Sequence, residues 1–142
     1  MPFTIDGKNL TLRAAQHIAA AARIEAARRG VTVTVAVLDA GAHPLVLERM
    51  DGVHAATVDV ALAKARSAAM FRRPTATFAA GIAAGNVALM SLPHVVPFPG
   101  GEPLRQGELF VGAIGISGAA PEIDQAIAEA GVAAFMAGDA QP

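Results

Sequence analysis

The chain has 142 residues, of which 54% are hydrophobic and 16% charged, and its formal net charge is −1. This length suits one domain, so we take residues 1–142 as a single domain with its core at about 10–136. The near-neutral charge and the lack of Tyr and Trp argue against a nucleic-acid partner. The lack of Cys excludes disulfides and thiolate metal sites.

The start of the chain, MPFTIDGKNL, has no basic segment followed by an apolar run. No apolar stretch reaches the roughly 20 residues that a membrane span needs. We therefore expect a cytoplasmic protein without a membrane partner. Since the chain is rich in alanine and poor in charge, part of its surface is expected to be buried against other copies, which predicts a homo-oligomer.

The first predicted element is a helix from Thr11, whose hydroxyl can cap it, to about Arg29, with Gly30 ending it. Alternating Val and Thr in Val31–Asp39 predict a strand with one apolar face. The turn AGAHP then leads into Leu45–Met50, which is predicted to be the antiparallel partner of that strand.

Three helices and one long strand are predicted for the rest of the chain. They are a helix over His54–Phe71, a helix over Thr75–Leu92 capped by Thr75, a strand over Glu108–Ser117 and a helix over Pro121–Met136. The proline-rich loop PHVVPFPGGEP holds at most one short strand. Because the connections between neighbouring strands are too short for parallel crossovers, we predict a mainly antiparallel sheet covered by helices, an α+β fold.

Glycines recur every third residue near the end of the long strand, at Gly112, Gly115 and Gly118. A dinucleotide site needs G-x-G-x-x-G at the turn itself, whereas two of these glycines lie inside the strand. The following helix also begins with Glu122 and Asp124, which would repel phosphate. The spacing therefore indicates close approach of another backbone, a helix or a flat ligand.

Three ordered stretches resemble the GlcG/HbpS-like family over roughly residues 10–135: VLDAGAHPLVLERMDG, ALAKARSAAMFRRPT, and the PGGEPL turn with Gly107, VGAIGISG and Asp124. The resemblance implies a profilin-like antiparallel sheet flanked by helices and assembled into homo-oligomers. Some relatives bind haem, and others are fused to cobalamin adenosyltransferases of the PduO type. Glu102 stands where the family usually has a small apolar residue, and SGA replaces SGG, which leaves the ligand open.

His17, in the middle of the first helix, resembles the axial haem ligand of adenosyltransferase-linked relatives. An imidazole suits haem iron, and the surrounding alanines leave room for a flat macrocycle. The alternative is a partly buried histidine that is hydrogen-bonded to a neighbour. Haem iron held by His17 is the metal that we consider, because the other histidines show no ligand spacing.

The PGGEP turn is predicted to form the rim of a ligand pocket. Gly100 and Gly101 are expected to leave backbone N–H groups uncovered for a ligand. His94 and Glu102 are a candidate acid–base pair beside them. Two cations, Arg49 and Lys64, are candidates for binding a propionate or a substrate carboxylate, although Lys64 could instead reach an edge or an ion-pair partner.

Two functions stay open on these residues. One is an oligomeric protein that binds haem or another tetrapyrrole, with His17 as the axial ligand. The other is a cofactor-independent lyase, isomerase or decarboxylase that acts on a small carboxylated substrate, with His94 and Glu102 moving protons. A haem titration separates the two, because only the first predicts a Soret band.

Overall fold

The structure is a computed structural model and describes residues 1–139. Its elements in chain order are α1 (Leu12–Arg28), β1 (Thr34–Asp39), β2 (Pro44–Arg49), α2 (Ala56–Phe71), α3 (Thr75–Ala83), a 3₁₀ turn (Val87–Ser91), β3 (Gly101–Gln106), β4 (Leu109–Ser117) and α4 (Pro121–Asp139). The strands form an antiparallel sheet in the order β2-β1-β4-β3. The predicted α+β fold is confirmed. Over the described residues, the helices are all too short or too polar to cross a membrane.

Strand β4 is central in the sheet and is buried along its length except at Leu109. Ile114 and Ile116 pack into a core shared with α1 and α4 on one face of the sheet. Ala113 packs into a second core on the other face, where α2 lies. Side chains alternate between the faces of a strand, so the predicted strand that is apolar on both sides is confirmed as the middle of three layers.

Helix α1 begins and ends where the sequence predicts. The Thr11 hydroxyl accepts a hydrogen bond from the Ala14 N–H at 3.1 Å. Gly30 has a φ of +71°, a left-handed conformation that glycine adopts without strain, and its N–H donates to the Ala27 carbonyl. These contacts satisfy backbone groups that a helix end would otherwise leave without partners.

The prediction of one long helix over Thr75–Leu92 is wrong. Helix α3 ends at Ala83, because Gly85 turns left-handed with a φ of +103° and the chain continues into the 3₁₀ turn. Thr75 does not cap α3 either: its hydroxyl accepts a hydrogen bond from the Gly101 N–H at 2.9 Å. Within the described chain α3 buries only Thr75 and Phe78, and the 3₁₀ turn buries none of its residues. The segment from α3 to the 3₁₀ turn therefore contributes few side chains to the core.

Candidate functional site

A cleft of about 500 Å³ lies between the start of α1 and the end of α4. Its walls are formed by seven residues of these two elements and their flanks: Thr11, Arg13, Ala14, His17, Phe135, Gly138 and Asp139. A smaller cavity of about 320 Å³ shares four of these walls and extends to Lys8 and Gln106. We call the two together the α1–α4 cleft. Its lining combines apolar, cationic and imidazole groups with the carboxylate of Asp139.

The predicted axial ligand His17 lies in this cleft. Its side chain is exposed, and its Nε2 atom is 3.2 Å from the backbone carbonyl of Ala134 in α4. In the tautomer that donates from Nε2 to this carbonyl, Nδ1 keeps its lone pair. The hydrogen bond predicted as the alternative therefore exists, and it leaves one ring nitrogen free to bind a metal.

The cleft also contains cations that the sequence interpretation missed. Arg13 stands one helical turn before His17, on the same face of α1, and forms no salt bridge with another residue of the described chain. Lys8, at the other end, donates to Gln106, and Gln106 donates in turn to Asp139. The i, i+4 spacing of Arg13 and His17 was visible in the sequence and is the signal that could have found the site.

The PGGEP turn does not offer its backbone to a ligand. The Gly100 N–H donates to the Gln125 side chain at 3.0 Å, and the Gly101 N–H donates to Thr75 at 2.9 Å. Both glycines are buried, and a Cβ on Gly101 would stand 2.4 Å from the Lys64 carbonyl. The expectation of uncovered N–H groups is therefore wrong, because the turn packs directly against α2.

Lys64 reaches an ion-pair partner and not an edge of the fold. The residue is 3% exposed, and its Nζ lies 2.9 Å from the Ile116 carbonyl and 3.0 Å from Oδ2 of Asp124. The other carboxylate oxygen of Asp124 accepts the Ala119 N–H. Burial raises the pKa of Asp124, while the Ala119 N–H and the Lys64 ammonium lower it. This ion pair joins α2, β4 and α4, so the Lys64 ammonium already has its partners within the fold.

The two members of the candidate acid–base pair are not in direct polar contact within the described residues. His94 is exposed in its loop with a φ of +68°, and within residues 1–139 no hydrogen bond or salt bridge joins it to Glu102. Glu102 is half-buried and accepts a hydrogen bond from Gln125, which also donates to Glu129. Burial raises the pKa of Glu102, the Gln125 hydrogen bond lowers it, and the charge of Glu129 raises it.

The remaining predicted site residues lie away from the cleft. Arg49 is exposed at the end of the edge strand β2, and it lines neither cavity. Neither the residues of the PGGEP turn nor Lys64 lines either cavity. No cluster of three or more metal-ligating His, Cys, Asp or Glu side chains occurs in the described part of the chain. Of the predicted residues in that part, His17 is therefore the one placed in the α1–α4 cleft.

Comparison with known proteins agrees with the resemblance seen in the sequence. A family model described as haem degrading protein HbpS-like matches residues 10–133. Protein GlcG of Escherichia coli strain K12 is 33% identical over 108 residues, covering 76% of this chain and 81% of GlcG.

Two solved structures have the same fold as this chain. The Klebsiella pneumoniae protein ORFY has a TM-score of 0.91 at 31% identity, covering 96% of this chain and 97% of ORFY. PduOC in complex with haem has a TM-score of 0.80 at 27% identity, covering 89% of this chain and 94% of PduOC. The family model, the GlcG relative and both structures agree over most of the length, and the chain belongs to the HbpS-like family.

Proposed function

We propose that the chain is a ligand-binding protein that holds haem, or another tetrapyrrole, in the α1–α4 cleft. The observation that carries this proposal is the free ring nitrogen of His17 in a cleft that also contains Arg13. The family description and the haem complex of PduOC support the same ligand class. A haem iron takes an axial imidazole, and its propionates take a guanidinium.

The residues of the cleft fit a flat macrocycle with carboxylates at its edge. Ala14 lies between Arg13 and His17 along α1, and its small side chain leaves space above the helix. Phe135 of α4 forms an apolar wall opposite. His17 would hold the iron through one nitrogen, and Arg13 would pair with a propionate. The hydrogen bond to Ala134 orients the imidazole.

His17→Ala is expected to weaken hemin binding by about tenfold or more, because it removes the imidazole that would bind the iron. A tenfold loss of affinity corresponds to about 1.4 kcal/mol of binding free energy. The measurement is an absorption titration in which the parent chain develops a saturable Soret band. The matched control is His54→Ala, an exposed histidine outside the cleft, which should titrate like the parent. Equal affinity and equal spectra of the two variants would remove the axial role of His17, and a parent without a Soret band would remove the ligand.

We also propose that the chain is a homo-oligomer, with a second copy covering α3 and the 3₁₀ turn. Val87 and Met90 in the 3₁₀ turn are each 66% exposed, and Phe98 in the loop that follows is 56% exposed. The 3₁₀ turn and this loop therefore present large apolar side chains to solvent. Such apolar surface is typical of an interface. Helix α3 buries few side chains in the core of its own chain, which also supports a second copy covering it.

Light scattering at micromolar concentration is expected to give a mass above the 14.4 kDa of one chain. The double variant Val87→Lys and Met90→Lys should lower that mass, because two charges would be buried at the interface without partners. Ile24→Lys is the control, since Ile24 is 65% exposed on α1 and lies outside this region. A monomeric parent would refute the oligomer, and an unchanged mass in the double variant would refute this interface.

A further inference from the structure

The first seven residues of the chain, immediately before the part that lines the α1–α4 cleft, are all exposed. Phe3 is 105% exposed and Ile5 is 93% exposed, whereas Leu10 is 6% exposed. The chain becomes fixed at Asn9 and Leu10, where the Asn9 side chain accepts the Ala40 N–H at 2.7 Å and the Leu10 N–H donates to Val111. Two large apolar side chains thus stand on an exposed segment without helix or strand, which bends at Phe3 and is anchored at one end.

The anchored end of this segment is part of the cleft. Lys8, Asn9 and Leu10 line the smaller cavity, next to the walls that both cavities share. Gly7, immediately before them, has no atom within 4 Å of the place where a Cβ would stand. A glycine in open space lets the chain change direction at low cost, so the segment before Gly7 has a hinge at the mouth of the cleft.

We propose that residues 1–6 form a strap that closes over the ligand in the α1–α4 cleft. Gly7 is the hinge, and Phe3 and Ile5 cover the apolar face of the bound macrocycle. When the segment extends over the ligand, residues two apart lie on its same side, so Phe3 and Ile5 would face the ligand together. The inference rests on the proposed function, because without a macrocycle there is no flat apolar face to cover.

The strap is long enough for this role. The five residues from Phe3 to the hinge at Gly7 span up to about 17 Å when extended. The larger cavity, of about 500 Å³, is roughly 10 Å across if it is taken as a sphere. Closure would bury two side chains that otherwise stand in water, and the gain is offset in part by the conformational entropy lost in ordering the segment. A strap that closes on the ligand acts mainly on the rate of ligand release.

The experiment compares hemin release from the parent and from the double variant Phe3→Ser and Ile5→Ser. Hemin-loaded protein is mixed with excess apomyoglobin, and the transfer rate is followed by absorbance. We expect about tenfold faster release from the double variant, because serine at both positions removes the apolar side chains that cover the macrocycle. Ile24→Ser is the matched control: Ile24 is 65% exposed on α1, away from the cleft, and should leave the rate unchanged.

A second measurement reports on closure itself. Trypsin cleaves after Lys8, at the base of the strap, and hemin is expected to slow that cleavage severalfold in the parent and not in the double variant. If the double variant binds hemin, releases it at the parental rate and is protected from trypsin by hemin as strongly as the parent, the strap alone is overturned. A parent that binds no hemin overturns the proposed function and the strap with it. A lower oligomer mass with unchanged hemin release makes the segment an interface and also overturns the strap.

Discussion

Gly115→Ala is expected to lower the free energy of unfolding by about 3 kcal/mol, the upper end of the cost of overpacking a core. A Cβ at this position would stand 2.1 Å from the Ala61 carbonyl oxygen and 2.6 Å from the Ala65 nitrogen. These are backbone atoms of α2, so relief requires a shift of the whole helix away from the sheet. The measurement is urea unfolding followed by circular dichroism.

Gly7→Ala is the matched control for this prediction. A Cβ there meets no atom within 4 Å, so the variant should unfold within about 0.5 kcal/mol of the parent. If Gly115→Ala were as stable as Gly7→Ala, the distance between β4 and α2 would not depend on this glycine. That result would remove the physical account of glycine in the central strand.

The glycines of the last strand show how far a sequence alone can predict a structure. Glycine in a strand without polar neighbours indicates a close approach, and this prediction is confirmed at Gly112 and Gly115, where a Cβ would strike the backbone of β1 or α2. Gly101 makes an equally close approach, but its place between two prolines suggests an open turn. What closes that turn is α2, which is distant in sequence.

The break after α3 was visible in the sequence. The stretch AAGNVA places glycine and asparagine together, a pair that favours the end of a helix, and Gly85 does end it. The apolar period continues on both sides of this pair, and for that reason the sequence pattern predicts one long helix. The misassigned cap has another cause: Thr75 hydrogen-bonds to Gly101, and no local pattern shows a partner 26 residues away.

Only one wall of the α1–α4 cleft could be predicted from the sequence. Arg13 and His17 share a face of α1, and that spacing is a property of the sequence. The opposite wall comes from the end of α4, at Phe135 and Gly138, and it faces α1 because both helices cover the same side of the sheet. The order of strands decides which helices become neighbours, and that order depends on tertiary packing.

Lys64→Met is expected to lower the free energy of unfolding by about 3–5 kcal/mol near neutral pH, because it leaves the Asp124 carboxylate buried without its cation. Asp124 is 3% exposed, and its pKa already lies above the ordinary 3.8 because burial outweighs the attraction of Lys64. Asp124→Asn should cost a similar amount, because it leaves the buried Lys64 ammonium without its anion and with the Ile116 carbonyl as its partner. The asparagine can still accept the Ala119 N–H.

The double variant Lys64→Met and Asp124→Asn should be more stable than the sum of the single effects predicts, with a coupling of about 2 kcal/mol. Urea unfolding of the four proteins measures this coupling. Additive losses would mean that the two side chains act separately, and the buried ion pair would then have no energetic role of its own.

The pH dependence of the free energy of unfolding of Lys64→Met also tests this ion pair, through the protonation of Asp124. Without the cation, the pKa of Asp124 in the folded state rises further, whereas the unfolded carboxyl stays near 3.8. The folded state then holds the proton to higher pH than the unfolded state does, so stability falls as pH rises from about 4 through the raised pKa. The deficit of Lys64→Met should therefore be smallest near pH 4 and grow toward pH 8, while the double variant should show little of this slope. A deficit that is constant with pH would mean that Lys64 contributes through packing of its methylene chain, because only the loss of a charge partner makes the cost depend on the ionisation of Asp124.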